Sequence, residues 1–287
     1  MPKFCIGVPI LKYEEQFKYV FSSIVTAVEG LDYEIIIGIQ DLDTIPKNGA
    51  EDILGMPKVR AINSSNVSTL SGNLNNIIEQ SNSPYFVRID DDDYMHPYRI
   101  SKLARTIEEN PKFAIIGQSY KMFAEGKKAG RIISPLRDNA SNKQFLLFGV
   151  PFAHPAITIN LDKIESRRYD PEMMYAQDYM FYIDNLASGE FIGTRDMSLY
   201  YRVPNQNKLG YLRKRKIQLH CHEKAMIKLW NKVLKVNINE EEIHRLRCLY
   251  VSKEFCNNEI ICSGEKKHLE IKYGEALSKM KAYLKGI

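Results

Sequence analysis

The chain has 287 residues, 44% of them hydrophobic and 26% charged, an ordinary balance for a globular protein of one or two domains. No stretch approaches the roughly 18 apolar residues of a membrane span. The opening MPKFCIGVPI is too short in apolar residues for a signal peptide, and five cysteines without regular spacing do not suit a disulfide framework, so a cytoplasmic protein is expected. The net charge of +5 is uneven: from Lys208 onward there are 18 basic against 9 acidic residues, leaving a balance of −4 for residues 1–207. A division near Asn207 is expected, with alternating strands and helices before it and helices only after it.

In chain order, Phe4–Ile10 is a short apolar run stopped by Pro9, consistent with a buried strand. Phe17, Val20, Phe21, Ile24, Val25 and Val28 recur at helical spacing, and Gly30 closes that helix. Tyr33–Ile39 reads as a second strand, followed by the polar loop QDLDT, and Val59–Ile62 as a third. Ser68 is the expected cap of a helix running through Ile78, and Tyr85–Ile89 is a fourth strand. Strands alternating with crossover helices predict a parallel α/β sheet.

Ligands of such sheets bind at the carboxyl ends of the strands. Two polar loops fall there, Gln40-Asp41 after the second strand and Asp90 to Asp93 after the fourth. Four adjacent carboxylates repel one another unless a cation or water offsets their charge. In an extended chain residues two apart share a side, so Asp90 and Asp92 are expected to converge while Asp91 and Asp93 point elsewhere. Carboxylate oxygens suit Mg²⁺ or Mn²⁺, whose shells are usually completed by substrate phosphates. A calcium loop of the EF-hand type is excluded, because its glycine and terminal glutamate are absent at the required spacings. His220, Cys221, His222 and Cys248 have no second ligand pair at zinc spacing.

The segment IDDDDYMHP resembles the LDaDDxxxP segment of family 2 glycosyltransferases. Further segments match in the same order. GVPILKYEEQF is similar to the first-strand iPvYNre, with Leu11 in place of the aromatic, and YEIIIGIQDLDT to fEiivvDDgStD, with Gln40 and Asp41 near the paired aspartates. NVSTLSGNLN resembles GlsaarNxg, keeping Asn73. FAHPAITI resembles the acceptor-side strand that begins with His-Pro, YAQDYMF resembles xxEDydl, and LYYRVPNQN resembles lyYRxHxxn, with Arg202 kept and Pro204 in the histidine's place.

The resemblance covers about residues 3–207 and implies a GT-A fold: a Rossmann-like mixed sheet flanked by helices, with residues 1–95 holding the nucleotide sugar and 96–207 the acceptor. It implies nucleotide-sugar contacts from Pro9, Leu11, Gln40, Asp41, Asn73, Asp90, Asp91 and Arg202, with Asp92 on Mn²⁺ or Mg²⁺. His154 and Gln177 would face the acceptor. Asp178 would be the base, at a helix start that holds its carboxylate ionised. The Gln177–Gly189 stretch reads as that helix. The implied reaction is inverting transfer from a nucleotide-diphosphate sugar, UDP-linked, to a cell-surface polysaccharide, lipopolysaccharide or glycoprotein glycan. A nucleotidyltransferase also uses an acidic metal site, but VPILKYEEQ lacks a glycine-rich phosphate loop; a non-catalytic nucleotide-sugar-binding module is the other alternative.

Beyond Asn207, Met226, Leu229, Trp230 and Val233 recur at helical spacing, with Lys224, Lys228, Lys232 and Lys235 on another face and LRKRK (Leu212–Lys216) before them. One reading is a helix docked on the catalytic body with its lysines in water. The other is a basic surface, residues 208–235, for anionic membrane at its inner face or for a lipid-linked acceptor. Nucleic acid is not an expected partner, as no recognisable binding module is present.

Overall fold

The computed structural model describes residues 3–45, 51–124, 130–147, 149–166, 168–203 and 208–250, together with Gly274 and Ser278. Pro204 and Asn207, and the side chains of Leu212–Lys216, Lys232, Val233 and Cys248, lie outside the described residues, and the expected division at Asn207 falls among them.

The described strands form one nine-stranded mixed sheet. Its first half comprises β1 (Phe4–Lys12), β2 (Tyr33–Asp41), β3 (Val59–Asn63) and β4 (Tyr85–Arg88), paired in parallel in the order β3-β2-β1-β4. Helices α1 (Phe17–Val28), the short α2 (Glu51–Leu54) and α3 (Leu70–Gln80) belong to this half, and α4 (Arg99–Glu109) follows it. The second half adds β5 (Tyr94–Met95), β6 (Phe113–Phe123), β7 (Ile132–Ile133), β8 (Ile157–Asn160) and β9 (Glu190–Arg202). There β8 runs antiparallel to β4 and β6, and β9 pairs parallel with β6 through register shifts. Helices α5 (Asn139–Phe145), α6 (Gln177–Asp184), α7 (Lys208–Leu234) and α8 (Glu240–Tyr250) complete the described chain.

Side-chain alternation along the strands explains the two cores. Phe4, Ile6 and Val8 of β1 point to one face of the sheet, where they meet Val20, Phe21 and Ile24 of α1 and Ile100 and Leu103 of α4. Cys5 and Ile36 point to the other face, against Leu74 and Ile77 of α3. Strands buried on both faces need the near-continuous apolar runs that made β1 and β2 legible. Strand β1 nevertheless continues past Pro9 to Lys12. Gly7 bonds Ile89 on the β4 side, and Pro9, two residues on, presents its missing N–H to the same side after β4 has ended. The cap of α3 is Thr69, one residue beyond the expected Ser68; its side chain accepts from the Gly72 amide at 3.1 Å. Helix α6 stops at Asp184, short of Gly189. Asn185 turns the chain there by bonding the Phe181 and Ser166 carbonyls, at 3.0 Å each.

Helix α7 docks as the first of its two readings has it. Ala225, Met226, Leu229 and Trp230 are buried in the same core as Tyr179, Met180 and Ile183 of α6, and α8 adds Ile243 and Leu246. Lys228 does not face water freely: its Nζ lies 2.6 Å from Asp184. Lys224 is exposed. Among the described residues no helix is long and apolar enough to cross a membrane.

Truncating Trp230 tests this docking. Trp230→Ala should lose about 3–5 kcal/mol in denaturant unfolding, as large aromatic-to-alanine changes in cores do. A loss under about 1 kcal/mol would mean that α7 is not part of the cooperative core.

Candidate active site

The strand order places β2 and β3 on one side of β1 and β4 on the other, so the sheet switches direction between β1 and β4. A crevice opens at such a point, outside the carboxyl ends of the strands. A cleft of about 180 Å³ lies there, lined by Lys12 at the end of β1, by Glu14, Gln16 and Phe17 beyond it, and by Asp91 and Asp92 after β4. A larger hollow, about 330 Å³, sits at the opposite ends of β2 and β3 among Asp32, Glu34, Lys58 and Arg60, away from this chemistry.

Strand β4 ends at Arg88, and the aspartates turn instead of continuing extended: the Asp93 amide bonds back to the Asp90 carbonyl at 3.4 Å. The two-residue alternation therefore does not hold. Asp93 joins Asp90 and Asp92, with one carboxylate oxygen from each within 4.8 Å of the others, the group suited to a metal ion among the described residues. Asp93 is 1% exposed; its Oδ1 accepts from the Arg202 amide at 2.8 Å, while its buried Oδ2 has no partner among the described residues. Burial and the nearby Asp90 push Asp93 up to about 8, and burial with Asp90 and Asp92 pushes Asp91 up to about 7. Asp92 is also raised, by burial and Asp90, against the pull of Arg202. An orphaned buried oxygen and a crowd of hard donors fit a divalent cation.

Two arginines offset this charge. Arg202, at the end of β9, donates from Nε to the Asp92 carbonyl at 3.0 Å and from Nη2 to the Tyr94 hydroxyl at 3.1 Å, and its guanidinium lies over the Tyr94 and Phe123 rings. It braces the turn from above. Arg88 is buried beneath, with Nη2 bonded to the Asp90 carboxylate. Sequence reading passed over Arg88 and Asp93. A basic residue closing an apolar strand, two positions before an acidic run, was the available signal for the first.

The other expected residues fall around this turn. Pro9 and Leu11 occupy the end of β1, Leu11 outward at 61% exposure. Gln40 and Asp41 end β2, and the Gln40 amide donates to the Val67 carbonyl at 2.8 Å. Asn73 is fully buried, where its Nδ2 bonds the carbonyls of Gly38 at 2.9 Å and Ile10 at 3.4 Å, tying β1 to β2. That approach needs Gly38, since a Cβ there would stand 2.0 Å from Asn73 Oδ1. Asn73 thus shapes the rim from below.

On the second half, His154 is buried and its Nε2 lies 3.0 Å from the Tyr169 hydroxyl; burial, then Arg88, hold it well below its usual range and therefore neutral. Gln177 and Asp178 open α6 after Ala176, a buried non-glycine residue in the left-handed region at φ 55°. Such backbone costs of order 1–3 kcal/mol and clusters at functional sites. Asp178 Oδ1 accepts from the Tyr179 amide at 2.8 Å. The helix start does not dominate its ionisation, however: burial raises Asp178 to about 6, with the Tyr179 amide and Arg88 pulling the other way. A carboxylate poised just below neutrality suits general-base work.

A mixed sheet with an acidic turn at its switch point is the framework of a GT-A fold. Residues 5–167, more than half of the chain, match the family described as glycosyl transferase family 2. The chain belongs to that family, and it is a glycosyltransferase. No curated protein sequence matches it significantly. Its fold is similar to that of S. aureus TarS 1-349, with 12% identity, TM-score 0.61, and coverage of 98% of this chain and 83% of that one. The same TarS piece in complex with UDP-GlcNAc gives TM-score 0.64 at 12% identity, over 96% and 80% of the two chains. A mannosyltransferase from Pyrobaculum calidifontis, PcManGT, in complex with GDP-Man and Mn2+, gives TM-score 0.57 at 11% identity, over 99% and 85%.

The raised Asp178 makes a stability prediction. A carboxyl whose folded value lies above its unfolded one, 3.8, contributes stability at low pH that is lost as pH rises through about 6. Asp178→Asn keeps an acceptor for the Tyr179 amide and removes that loss. The variant should be more stable than the parent by on the order of 1–2 kcal/mol above pH 7, with the gain vanishing near pH 4. Denaturant unfolding across this range checks it, and equal stability at pH 7.5 would contradict it.

Proposed function

We propose that this glycosyltransferase is an inverting enzyme that uses a nucleotide-diphosphate sugar, UDP-linked, and a divalent cation, and that it extends a cell-surface polysaccharide, lipopolysaccharide or glycoprotein glycan. The observation that carries the reading is the convergence of Asp90, Asp92 and Asp93 at the switch point, with an unpartnered buried oxygen on Asp93. Asp92, with Asp90 and Asp93 beside it, would hold Mn²⁺ or Mg²⁺. A bound cation supplies positive charge against a leaving diphosphate.

In this reading residues 1–95 bind the donor and 96–207 the acceptor. Leu11, Gln40 and Asp41 contact the nucleotide from the rim of β1 and β2, with Pro9 and Asn73 holding that rim, while Asp90 and Asp91 lie against the ribose side. Arg202 keeps the aspartate turn closed and places its charge beside the diphosphate. His154, held neutral, and Gln177 orient the acceptor, and Asp178 takes the proton of its attacking hydroxyl. Attack from the Asp178 side displaces the diphosphate in one step and inverts the anomeric centre. Residues 208–235 are proposed as a peripheral contact with anionic membrane or a lipid-linked acceptor at its inner face. Exposed Lys224 supports that reading; Lys228, paired with Asp184, does not contribute to it.

The neighbours bound to UDP-GlcNAc and to GDP-Man with Mn2+ support a nucleotide-sugar donor for this fold. The test is single-turnover transfer from UDP-sugars with Mn²⁺. Asp178→Asn should lower the rate by about 10²–10⁴-fold while donor affinity measured by calorimetry stays near parental. Near-parental transfer would exclude Asp178 as the base.

A further inference from the structure

The sequence of α3, LSGNLNNIIEQ, is a weak helix former, since asparagine and glycine are disfavoured in helix interiors. Its three asparagines are held by groups outside the helix. Asn73 bonds the carbonyls of Gly38 and Ile10, and Asn76 reaches the Ser64 hydroxyl at 3.3 Å and the Asn66 side chain at 3.2 Å beyond β3. Asn75, 3% exposed, turns to the second half of the molecule. Its Nδ2 donates to the Tyr169 carbonyl at 2.9 Å, and its Oδ1 accepts from the Tyr169 amide at 2.7 Å. One side-chain amide thus pairs with both backbone groups of one residue, as a neighbouring strand would.

Ser71, Asn75 and Glu79, four residues apart, share one face of α3. The chain from Arg168 to Met173 runs antiparallel along that face. Arg168 pairs with Glu79, Tyr169 with Asn75, and the Ser71 hydroxyl donates to the Met173 carbonyl at 3.3 Å. The Arg168 pair is exposed and therefore weak, whereas Ser71 and Asn75 are buried. Between these two anchors the Met173 amide bonds the Asp170 carbonyl at 3.2 Å, so α3 holds both ends of a turn. Three residues after Met173 comes the left-handed Ala176, and α6 then opens with Gln177 and Asp178. Tyr169 extends the hold. Its ring stacks on Phe181 of α6 with centroids 4.3 Å apart, and its hydroxyl lies 3.0 Å from His154 Nε2.

We propose that Asn75 is a positioning residue for glycosyl transfer: by clamping Tyr169 it sets where α6 begins, and so where Asp178 and His154 stand relative to the rim that Asn73 holds. Its part in transfer rests on the reading of Asp178 as the base; its hold on the segment does not. One short helix then gauges the distance between the two halves of the site, with Asn73 toward the ends of β1 and β2 and Asn75 toward α6. A misplacement of about 1 Å can cost roughly 10²-fold in rate. Releasing Tyr169 should therefore cancel much of the benefit of the Asp178 carboxylate while leaving the carboxylate in the chain.

The experiment compares the full chain with its Asn75→Ala variant in two measurements. The first is hydrogen exchange without ligand. Amides of residues 169–178 should exchange about tenfold faster or more in the variant, with the ends of β1 and β2 unchanged. The second is breakdown of UDP-GlcNAc and of GDP-Man with Mn²⁺, water serving as acceptor, for Asp178 and for Asp178→Asn in each background. The loss caused by Asp178→Asn should shrink by about tenfold or more once Asn75 is alanine. A merely structural role would lower both rates together and leave that ratio parental. Parental exchange over 169–178 would overturn the clamp, and a parental ratio would overturn its part in transfer. If Asp178→Asn is harmless in the parental background, the base reading falls and takes that part with it, while faster exchange would still support the clamp. Should Asn75→Ala not fold, Asn75→Ser, too short to reach both backbone groups, decides by the same two outcomes.

Discussion

The ion pair between Arg88 and Asp90 is the interaction on which the site depends. Three carboxylates within 4.8 Å repel one another by roughly 3–4 kcal/mol per pair at an effective dielectric of about 20. A turn made of aspartates would splay apart under that force. Arg88 holds it from inside the sheet and Arg202 from the end of β9, one through the Asp90 carboxylate and the other through the Asp92 carbonyl and Asp93. The two cations do not cancel the cluster. An oxygen of Asp93 remains buried and unpaired, and Asp91, Asp92 and Asp93 all hold their protons to higher pH than free aspartate. The protein thus stores an electrostatic deficit that a divalent cation and a diphosphate together would relieve.

The scaffold around this deficit is built for close tolerances. Asn73 reaches the carbonyls of β1 and β2 because Gly38 lets α3 approach, and Ala176 takes a left-handed turn to start α6 at Gln177. Helix α6 is backed in turn by Trp230, Leu229 and Met226 of α7, so the basic C-terminal region is part of the core that supports Asp178. Burial of Asp178 carries a cost in stability at neutral pH and brings its proton affinity close to the value a base needs.

Much of this was legible in the residues. The apolar runs of β1, β2 and β4 and the spacing in α1 gave the parallel half of the sheet, and the polar segments at their carboxyl ends located the crevice. The ordered segments from Pro9 to Arg202 identified the family. The local geometry was not legible, for physical reasons. Strand alternation failed at Asp93 because the chain turns immediately after Arg88, and β1 outran Pro9 because its β4 neighbour had already ended. The raised proton affinity of Asp178 was not legible because a helix start is visible in sequence and the burial that outweighs it is not. Arg88 carried no motif of its own; its burial and its bond to Asp90 appear only in the folded chain.

The central claim is that the aspartate turn is a cation site completed by the nucleotide, and Mn²⁺ binding followed by electron paramagnetic resonance tests it most directly. Titrating Mn²⁺ into the protein with and without UDP should give one site per chain that tightens when UDP is present. Asp92→Asn should weaken that site in a folded protein. Mn²⁺ binding that is indifferent both to UDP and to the loss of Asp92 would contradict the account.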